Sequence, residues 1–423
     1  MSSDLTLVVG GGVIGLACAT ELAAAGDRVL VLDRAPAGTG ASVGNAGWVT
    51  QSQAVPVPSP ESVRAALGSA GRPDAPLYVR PRISYEMARW MWEFRRYCTP
   101  RTFARGAEAL GQLAAASVDV FEKWEAEGVA TSLTHPGLLH AFLDAGAARR
   151  QLVSQRATSA GRYELPTGVL ATTEAQHLEP ALSSEVEAAY LVAGEGLVDP
   201  GALVSTLADR FVELGGRIES RRTVTGLEVR GGSVRAVVVD GTSLPIGRLL
   251  LAAGAWSAEL LRDLGVRVRM QAGKGYSFSV ALDRPPAHPI LLSDKHVAVS
   301  PMGGRTRIAG TMEFSGNNLR LDWRRIEAIA RASRHYLGNW FTDRDELMAL
   351  IHDPWVGGRP MLPDGLPLID RVPTVDNAFV ATGHGMLGVT LAPATAVALA
   401  EFIRVGTRPA LLEPFGFDRV SRR

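Results

Sequence analysis

Residues 6–33 read TLVVGGGVIGLACATELAAAGDRVLVLD. This order predicts an apolar strand, a G-x-G-x-x-G turn, a helix of small residues and a second apolar strand that ends in an acid. The helix N-terminus offers free amide groups and a partial positive charge to phosphates. A glycine-rich turn alone is weak evidence, but both strands, the helix and the acid stand in register. We therefore predict a dinucleotide-binding α/β unit.

Each position of this motif has a physical role. Gly10 permits the tight turn, Gly12 lets the backbone approach a pyrophosphate, and Gly15 lets the helix pack closely on the strand. Asp33 follows Gly15 by 18 residues. That spacing is close to the roughly 20 residues expected for an acid that binds a ribose hydroxyl.

Composition limits the class of protein. The chain has 423 residues, a net charge of +1 and 46% hydrophobic residues. This length predicts two or three domains, and the near-neutral charge argues against nucleic acid as the main partner. The two cysteines, Cys18 and Cys98, form no metal-binding or disulfide pattern. Because the N-terminus also lacks a secretory signal pattern, we predict a cytoplasmic location.

Strands alternate with helices at both ends of the chain, and a block of antiparallel strands is predicted between them. This order predicts an α/β fold, in which a Rossmann-type doubly wound parallel sheet is joined to a second, largely antiparallel-sheet domain. We assign residues 1–60, 195–270 and 355–423 to the nucleotide-binding domain. Residues 61–194 and 271–354 then form the substrate-binding domain.

A second glycine turn lies near the end of the chain, where residues 381–390 read ATGHGMLGVT. A strand ends, three glycines form a turn, and a helix begins whose N-terminus is suited to an anionic ring or a phosphate. Taken alone, the segment is equally compatible with an ordinary turn. Arg359-Pro360 and residues 363–367 (PDGLP) stand just upstream.

Together these segments resemble the D-amino acid oxidase (DAO) superfamily of FAD-dependent oxidoreductases, and within it the bacterial D-amino acid dehydrogenases. The likeness spans nearly the whole chain. Besides the two glycine turns, the matching segments are 42–48 (SVGNAGW), 55–60, 90–98, 251–257 (LAAGAWS), 274–277 (KGYS), 307–313 (RIAGTME) and the segment at Arg359.

The resemblance implies FAD, bound without a covalent link because the 42–48 loop has neither histidine nor cysteine. It implies the pyrophosphate on Gly10–Gly15, the adenosine ribose on Asp33, and Arg34 near the adenine. The remaining implied FAD contacts are Val13, Ile14, Ser42, Asn45, Ala46, Gly47, Val224, Ala253, Gly254, Trp256, Gly385, Met386, Leu387, Gly388, Val389 and Thr390. No metal is implied.

The reaction implied by the resemblance needs few protein groups, because the flavin accepts the hydride from the substrate Cα. Arg359 matches the arginine that holds the substrate carboxylate in this superfamily, and a guanidinium gives a bidentate grip. The alternative is a structural arginine in a turn beside Pro360. With a neutral amine no general base is required, and the imine product hydrolyses to a 2-oxo acid.

Three further residues are candidates for the catalytic site. Lys274 and Tyr276 stand two apart on one strand, so both are expected to face the site. Alternatively, Tyr276 is a core aromatic residue and Lys274 a surface charge. His384 lies in the second glycine turn, where it either hydrogen-bonds near the flavin ring or has a structural role.

We expect oxidation of a D-amino acid or of a cyclic D-imino acid such as D-proline or D-hydroxyproline. An oxidase of glycine or sarcosine that makes hydrogen peroxide is the first alternative, and a flavin-binding subunit of a multi-subunit dehydrogenase is the second. The electron acceptor, oxygen or a membrane quinone, and the oligomeric state stay open. Residues 89–97 (RWMWEFRRY) form either a helix at the inner face of the cytoplasmic membrane or a buried helix with a charged outer edge.

Overall fold

The computed structural model describes residues 4–62, 75–80 and 84–420. The strands of these residues are β1 (Thr6–Val9), β2 (Val29–Asp33), β3 (Trp48–Val49), β4 (Leu77–Val79), β5 (Leu138–Phe142), β6 (Leu170–Ala171), β7 (Ala188–Val192), β8 (Gly196–Leu197), β9 (Arg217–Ser220), β10 (Val224–Arg230), β11 (Ser233–Val239), β12 (Thr242–Pro245), β13 (Arg248–Leu251), β14 (Gln271–Val280), β15 (Ile290–Leu292), β16 (Val297–Met302), β17 (Arg305–Phe314), β18 (His352–Met361), β19 (Leu368–Arg371) and β20 (Ala378–Thr382). The main helices are α1 (Val13–Ala24), α2 (Tyr85–Tyr97), α3 (Pro100–Ala126), α4 (Ala145–Ser159), α5 (Thr172–Leu178), α6 (Pro200–Glu213), α7 (Ser257–Asp263), α8 (Trp323–Leu337), α9 (Arg344–Leu350) and α10 (Gly388–Val405).

A six-stranded sheet with the order β19-β20-β13-β1-β2-β9 carries the predicted dinucleotide motif. Its pairings are parallel except for β19 with β20. Alternate residues of β1 enter two different cores: Val8 packs with α1, α6 and α10, whereas Leu7 and Val9 pack with β11 of a small β10-β11-β12 sheet. Both faces of the sheet are thus covered, as its nearly continuous apolar strands require.

The second large sheet is mostly antiparallel, with the order β18-β14-β17-β16-β15-β5-β7-β6 and with β4 added beside β17. One of its faces packs against α8, where Phe278 and Ile308 of the sheet meet Ile326 and Ile329 of the helix in one buried cluster. The opposite face of β14, β17 and β18 is not covered by α8. The candidate site lies on that face.

The predicted fold class is confirmed, with local differences. The predicted boundary at residue 355 falls inside β18, which pairs with β14 of the antiparallel sheet along most of its length. The chain forms two helices between residues 85 and 126, because Thr99 caps a new helix that has Pro100 in its first turn. The division into two domains remains our proposal.

Within the described ranges, α10 is the one helix long and apolar enough to cross a membrane. About 72% of it is buried inside the protein, where it packs against α1 and α3. That burial is typical of a core helix.

Candidate active site

The predicted cofactor segments converge at the carboxyl ends of β1, β13 and β20, the edge at which doubly wound sheets bind ligands. Gly10 has a φ of +116°, and a Cβ there would lie 2.4 Å from the carbonyl oxygen of Ala252. A Cβ on Gly15 would lie 1.9 Å from the carbonyl oxygen of Gly10. The turn after β1 is therefore packed backbone to backbone against the end of β13.

The N-terminus of α1 is open to an anion. Its N-cap residue, Gly12, makes no side-chain cap, and the first turn holds no acidic residue. Ser42 accepts a hydrogen bond from the amide of Val13 at 3.0 Å. A Cβ on Gly12 would meet only that Ser42 hydroxyl, at 3.3 Å, so the bare backbone forms a cradle. Free amides at a helix N-terminus fit a pyrophosphate, and this cradle fits the pyrophosphate of FAD.

The acidic residue at the end of β2, Asp33, is hydrogen-bonded to the neighbouring backbone. Asp33 accepts hydrogen bonds from the amides of Gly11 (2.7 Å) and Ala35 (2.8 Å). Beside it, the Arg34 guanidinium stacks on the Trp256 ring, with 3.7 Å from Cζ to the ring centroid. Two residues predicted to contact FAD, Arg34 and Trp256, thus contact each other.

Two other predicted cofactor segments lie nearby. Ala253 lies two residues after the end of β13 and directly precedes the short 3₁₀-helix Gly254–Trp256. The carbonyl of Gly254 accepts a hydrogen bond from Thr382 at 2.8 Å. Val224 begins β10, two residues after Arg222, whose amide donates to the carbonyl of Asp33 at 2.9 Å. Both segments therefore lie next to the ends of strands that carry the dinucleotide motif.

The 42–48 loop is attached to the antiparallel sheet. Arg307 of β17 donates to the carbonyls of Val43 (2.7 Å) and Asn45 (3.0 Å). Ser300 of β16 donates to the carbonyl of Ala46 at 2.8 Å. Neither Arg307 nor Ser300 was predicted from the sequence to hold this loop. The only sequence feature that could have indicated it is the position of Arg307 as the first residue of the RIAGTME segment.

The same loop also joins the second glycine turn. The Asn45 side chain donates to the carbonyl of Met386 at 3.1 Å and accepts from the amide of Gly47 at 2.8 Å. Thr390, in the first turn of α10, donates to the carbonyl of Trp48 at 2.7 Å. The structure thus brings the predicted 42–47 and 385–390 segments together.

The N-terminus of α10 resembles that of α1, with no side-chain cap from Leu387 and no acid in the first turn. His384 precedes it and lies 3.2 Å from the Thr395 hydroxyl, measured from Nε2. Burial lowers the pKa of His384 to about 3, so its imidazole is neutral. Because its ring bonds to the helix interior, the contacts favour the structural alternative for His384.

A buried carboxyl group that the sequence analysis missed supports the chain after the 42–48 loop. Oε1 of Glu195 accepts from the amides of Gln51 (3.2 Å) and Ser52 (2.9 Å). Oε2 is buried and has no hydrogen-bond partner among the described residues. Burial raises the pKa of Glu195 to about 7, against the opposing effect of these hydrogen bonds.

Arg359 is a half-buried cation for which the described residues supply no counter-ion. Its guanidinium donates to the carbonyl of Thr311 at 2.6 Å, and it takes part in no ion pair among the described residues. Burial lowers the pKa of Arg359 to about 10, which leaves it charged at neutral pH. Since a buried charge is costly unless it is paired, this guanidinium is suited to an incoming anion.

A β-bulge directs the Thr311 carbonyl toward Arg359. The pairing of β14 with β17 shifts register between Lys274 and Tyr276, and Thr311 has a φ of +60°. That conformation is strained for a β-branched residue, and such strain clusters at functional sites. The bulge thereby orients the guanidinium of Arg359.

Two paired glycines form a flat platform under this site. Gly275 of β14 pairs with Gly357 of β18. A Cβ on Gly275 would lie 2.2 Å from Cζ of Arg359, and a Cβ on Gly357 would lie 2.0 Å from Cη2 of Trp355. The guanidinium and the indole thus occupy the space that two side chains would fill.

Lys274 and Tyr276 lie on the other face of β14. The Tyr276 hydroxyl donates to Oε2 of Glu313 at 2.6 Å, and Lys274 forms an ion pair with Oε1 at 3.1 Å. Burial raises the pKa of Glu313, but hydrogen bonds from Ser315, Tyr276 and Lys274 outweigh it and the pKa lies below its usual range. Tyr276 packs in the core under α8, and Lys274 is buried rather than on the surface. The structure therefore does not bring these two residues to Arg359.

Comparison with known proteins gives a consistent result. Residues 6–402 match the DAO family, described as FAD dependent oxidoreductase. A D-amino acid dehydrogenase of Dechloromonas aromatica (strain RCB) is 30% identical over 97% of this chain and 99% of its own length. A D-amino acid dehydrogenase of Rhizobium rhizogenes is 30% identical over 94% of this chain and 95% of its own length.

Solved structures share the fold. Glycine oxidase from Geobacillus kaustophilus superposes with a TM-score of 0.76 at 21% identity, covering 99% of this chain and 98% of that one. L-proline dehydrogenase from P. horikoshii superposes with a TM-score of 0.72 at 19% identity, with the same coverage of each chain.

Proposed function

Since the chain belongs to the DAO family of FAD dependent oxidoreductases, we propose that it oxidises a D-amino acid, or a cyclic D-imino acid such as D-proline or D-hydroxyproline. The observation that carries the proposal is the half-buried Arg359, which has no ion pair among the described residues and lies on the sheet face that also holds the 42–48 loop. The D-amino acid dehydrogenases at 30% identity support the substrate class.

When bound, FAD supplies the two-electron chemistry by accepting a hydride from the substrate Cα. We propose that the backbone of Gly10–Gly15 holds its pyrophosphate and that Asp33 holds its ribose. The 42–48 loop and the N-terminus of α10 would hold the flavin end. That N-terminus has no acidic residue in its first turn, so its partial positive charge favours an anionic group there.

The chain's own task is to orient the substrate. In our proposal Arg359 holds the carboxylate with two parallel hydrogen bonds, which fix direction as well as position. Thr311 keeps the guanidinium in place through its carbonyl. Since His384 is neutral and bonded to Thr395, we propose that the substrate amine binds in its neutral form and loses no proton to the protein. The imine product then hydrolyses in water to a 2-oxo acid.

The test is anaerobic bleaching of the flavin band at roughly 450 nm, where an oxidised flavin cofactor absorbs. The panel is D- and L-alanine, D- and L-proline, D-hydroxyproline, glycine and sarcosine. We expect bleaching by D-isomers. Arg359→Ala should retain FAD and lose roughly 2–4 kcal/mol of substrate binding, as expected for a bidentate charged contact. The exposed Arg404 gives the control variant Arg404→Ala.

The alternatives give different results in the same assay. Bleaching by glycine or sarcosine together with hydrogen peroxide in air identifies an oxidase. No bleaching by any member of the panel means either that Arg359 holds some other acid or that the chain needs a partner subunit to turn over. Unchanged kinetics in Arg359→Ala would refute the carboxylate assignment.

The outer face of α2 is a candidate surface for contact with a membrane that holds the electron acceptor. Met87 and Trp90 are buried, but Tyr85 and Trp92 are 73% and 56% exposed. Arg96 stacks on the Trp92 ring at 4.8 Å. Aromatic and arginine side chains on one helix face are typical of interfacial helices, so we propose a peripheral membrane contact here. Sedimentation with anionic vesicles should fall in Trp92→Ser and remain unchanged in Arg404→Ala.

A further inference from the structure

The indole of Trp355 lies between two glycines. A Cβ on Gly44 would lie 2.2 Å from its Cδ2 and Cε3 atoms, and a Cβ on Gly357 would lie 2.0 Å from its Cη2 atom. Gly44 belongs to the 42–48 loop and Gly357 to β18. The indole therefore bridges the loop and the sheet, and it fits only because both positions lack a side chain.

The edge of this indole is next to the Arg359 guanidinium. The guanidinium occupies the Cβ space of Gly275 and the indole edge that of Gly357, and these two glycines are paired across β14 and β18. Cβ positions of directly paired residues are about 4.5–5.5 Å apart. The cation and the aromatic edge thus lie over neighbouring positions of the same sheet face.

The surroundings prevent the indole from moving away. Arg307 fixes the loop backbone on both sides of Gly44 through the carbonyls of Val43 and Asn45. On the sheet side, Ser277 pairs directly with Trp355 and is almost fully buried. Trp355 itself is half-buried, so part of the ring remains available for contact.

We propose that Trp355 is the specificity-determining residue of this site, the wall against which the substituent on the substrate Cα packs; this inference rests on the proposed function. A carboxylate held by Arg359 places its carboxyl carbon about 4 Å and its Cα about 5.5 Å from the guanidinium carbon, given hydrogen bonds of about 2.8 Å. The first atom of the side chain then reaches the indole edge. The wall admits small substituents, such as a methyl group or a pyrrolidine ring, and excludes larger ones, such as a benzyl or an isobutyl group.

The experiment compares D-alanine with D-phenylalanine and D-leucine on the FAD-loaded enzyme and on Trp355→Phe and Trp355→Leu. The readout is kcat/KM from anaerobic flavin reduction, together with FAD content. We expect the ratio of kcat/KM for the bulky substrates to that for D-alanine to rise at least tenfold in Trp355→Leu and less in Trp355→Phe. FAD content should remain unchanged.

Trp340→Leu is the matched control, because Trp340 is also half-buried but bonds to Ser333 under the other sheet face. In Trp340→Leu the ratio of kcat/KM for the bulky substrates to kcat/KM for D-alanine should equal that of the native enzyme. An equal loss for all substrates in the Trp355 variants, or a loss of FAD, would overturn the inference while leaving the proposed function intact. A native enzyme that no amino acid reduces would overturn both.

Discussion

Replacing Gly275 with alanine should disable the carboxylate clamp without touching the arginine. The new Cβ would lie 2.2 Å from both Cζ and Nη2 of Arg359. The guanidinium must then retreat by roughly 1.2 Å or more to reach ordinary van der Waals separation. A displacement of about 1 Å in an orienting group can cost about 100-fold in rate. We therefore expect kcat/KM for a D-amino acid to fall by about 30- to 100-fold.

The assay is stopped-flow flavin reduction under anaerobic conditions, with substrate concentration varied. FAD content and thermal stability should match those of the native protein, since the substitution lies on β14 and not in the FAD-binding turns. Gly226→Ala is the control, because Gly226 also lies in a strand and a Cβ there would meet Val238 at an ordinary 3.7 Å.

Two results would refute the reasoning. If kcat/KM in Gly275→Ala stayed within threefold of native, the position of the guanidinium would not matter to the reaction. If the variant instead lost FAD, the platform would belong to the cofactor site and not to the substrate site.

Three further predictions concern the cofactor and the stability of the protein. Gly12→Val should fold but purify without FAD, because its side chain fills the pyrophosphate cradle; a native ratio of flavin to protein absorbance would contradict this. Arg307→Gln should weaken FAD binding by about tenfold, because two hydrogen bonds to the 42–48 loop are lost, each worth about 0.5–1.5 kcal/mol; equilibrium dialysis measures it. Glu195 has a folded-state pKa raised from 4.5 to about 7, so the native state holds this proton more tightly than the unfolded state and loses stability as the pH rises from 4.5 through 7. At 1.36 kcal/mol per pKa unit this amounts to about 3 kcal/mol. The free energy of unfolding measured in urea should therefore change less between pH 5 and pH 8 in Glu195→Gln than in the native protein.

Much of the fold could be predicted from the sequence because its signals are local. The strand, glycine turn and helix of residues 6–33 lie within one short stretch, and the Asp199 cap with Pro200 marks the start of α6. That the segments around 42–47 and 385–390 belong to one site was implied by the resemblance to the DAO superfamily and not by a local signal.

The sequence analysis could not determine which face of β14 is functional. Alternation shows that Lys274 and Tyr276 share a face, but which face meets the 42–48 loop depends on pairing with β17 and β18. The bulge at Thr311 could not be predicted from the sequence either, because a threonine gives no indication of a positive φ. Trp355 and Gly44 are more than 300 residues apart, so their contact has no local signal at all.

The central position of β1 has a consequence for synthesis of the protein. Its sheet is completed only when β20 has been made, roughly 370 residues after β1. At about 5–20 residues per second, translation takes roughly 20–75 s over that distance. During that time β1 lacks β13 until Leu251 has been made, β13 then lacks β20, and the FAD site lacks its second glycine turn. The nascent chain therefore exposes these apolar strand edges, and the complete FAD site can form only after residues 381–390 have emerged from the ribosome.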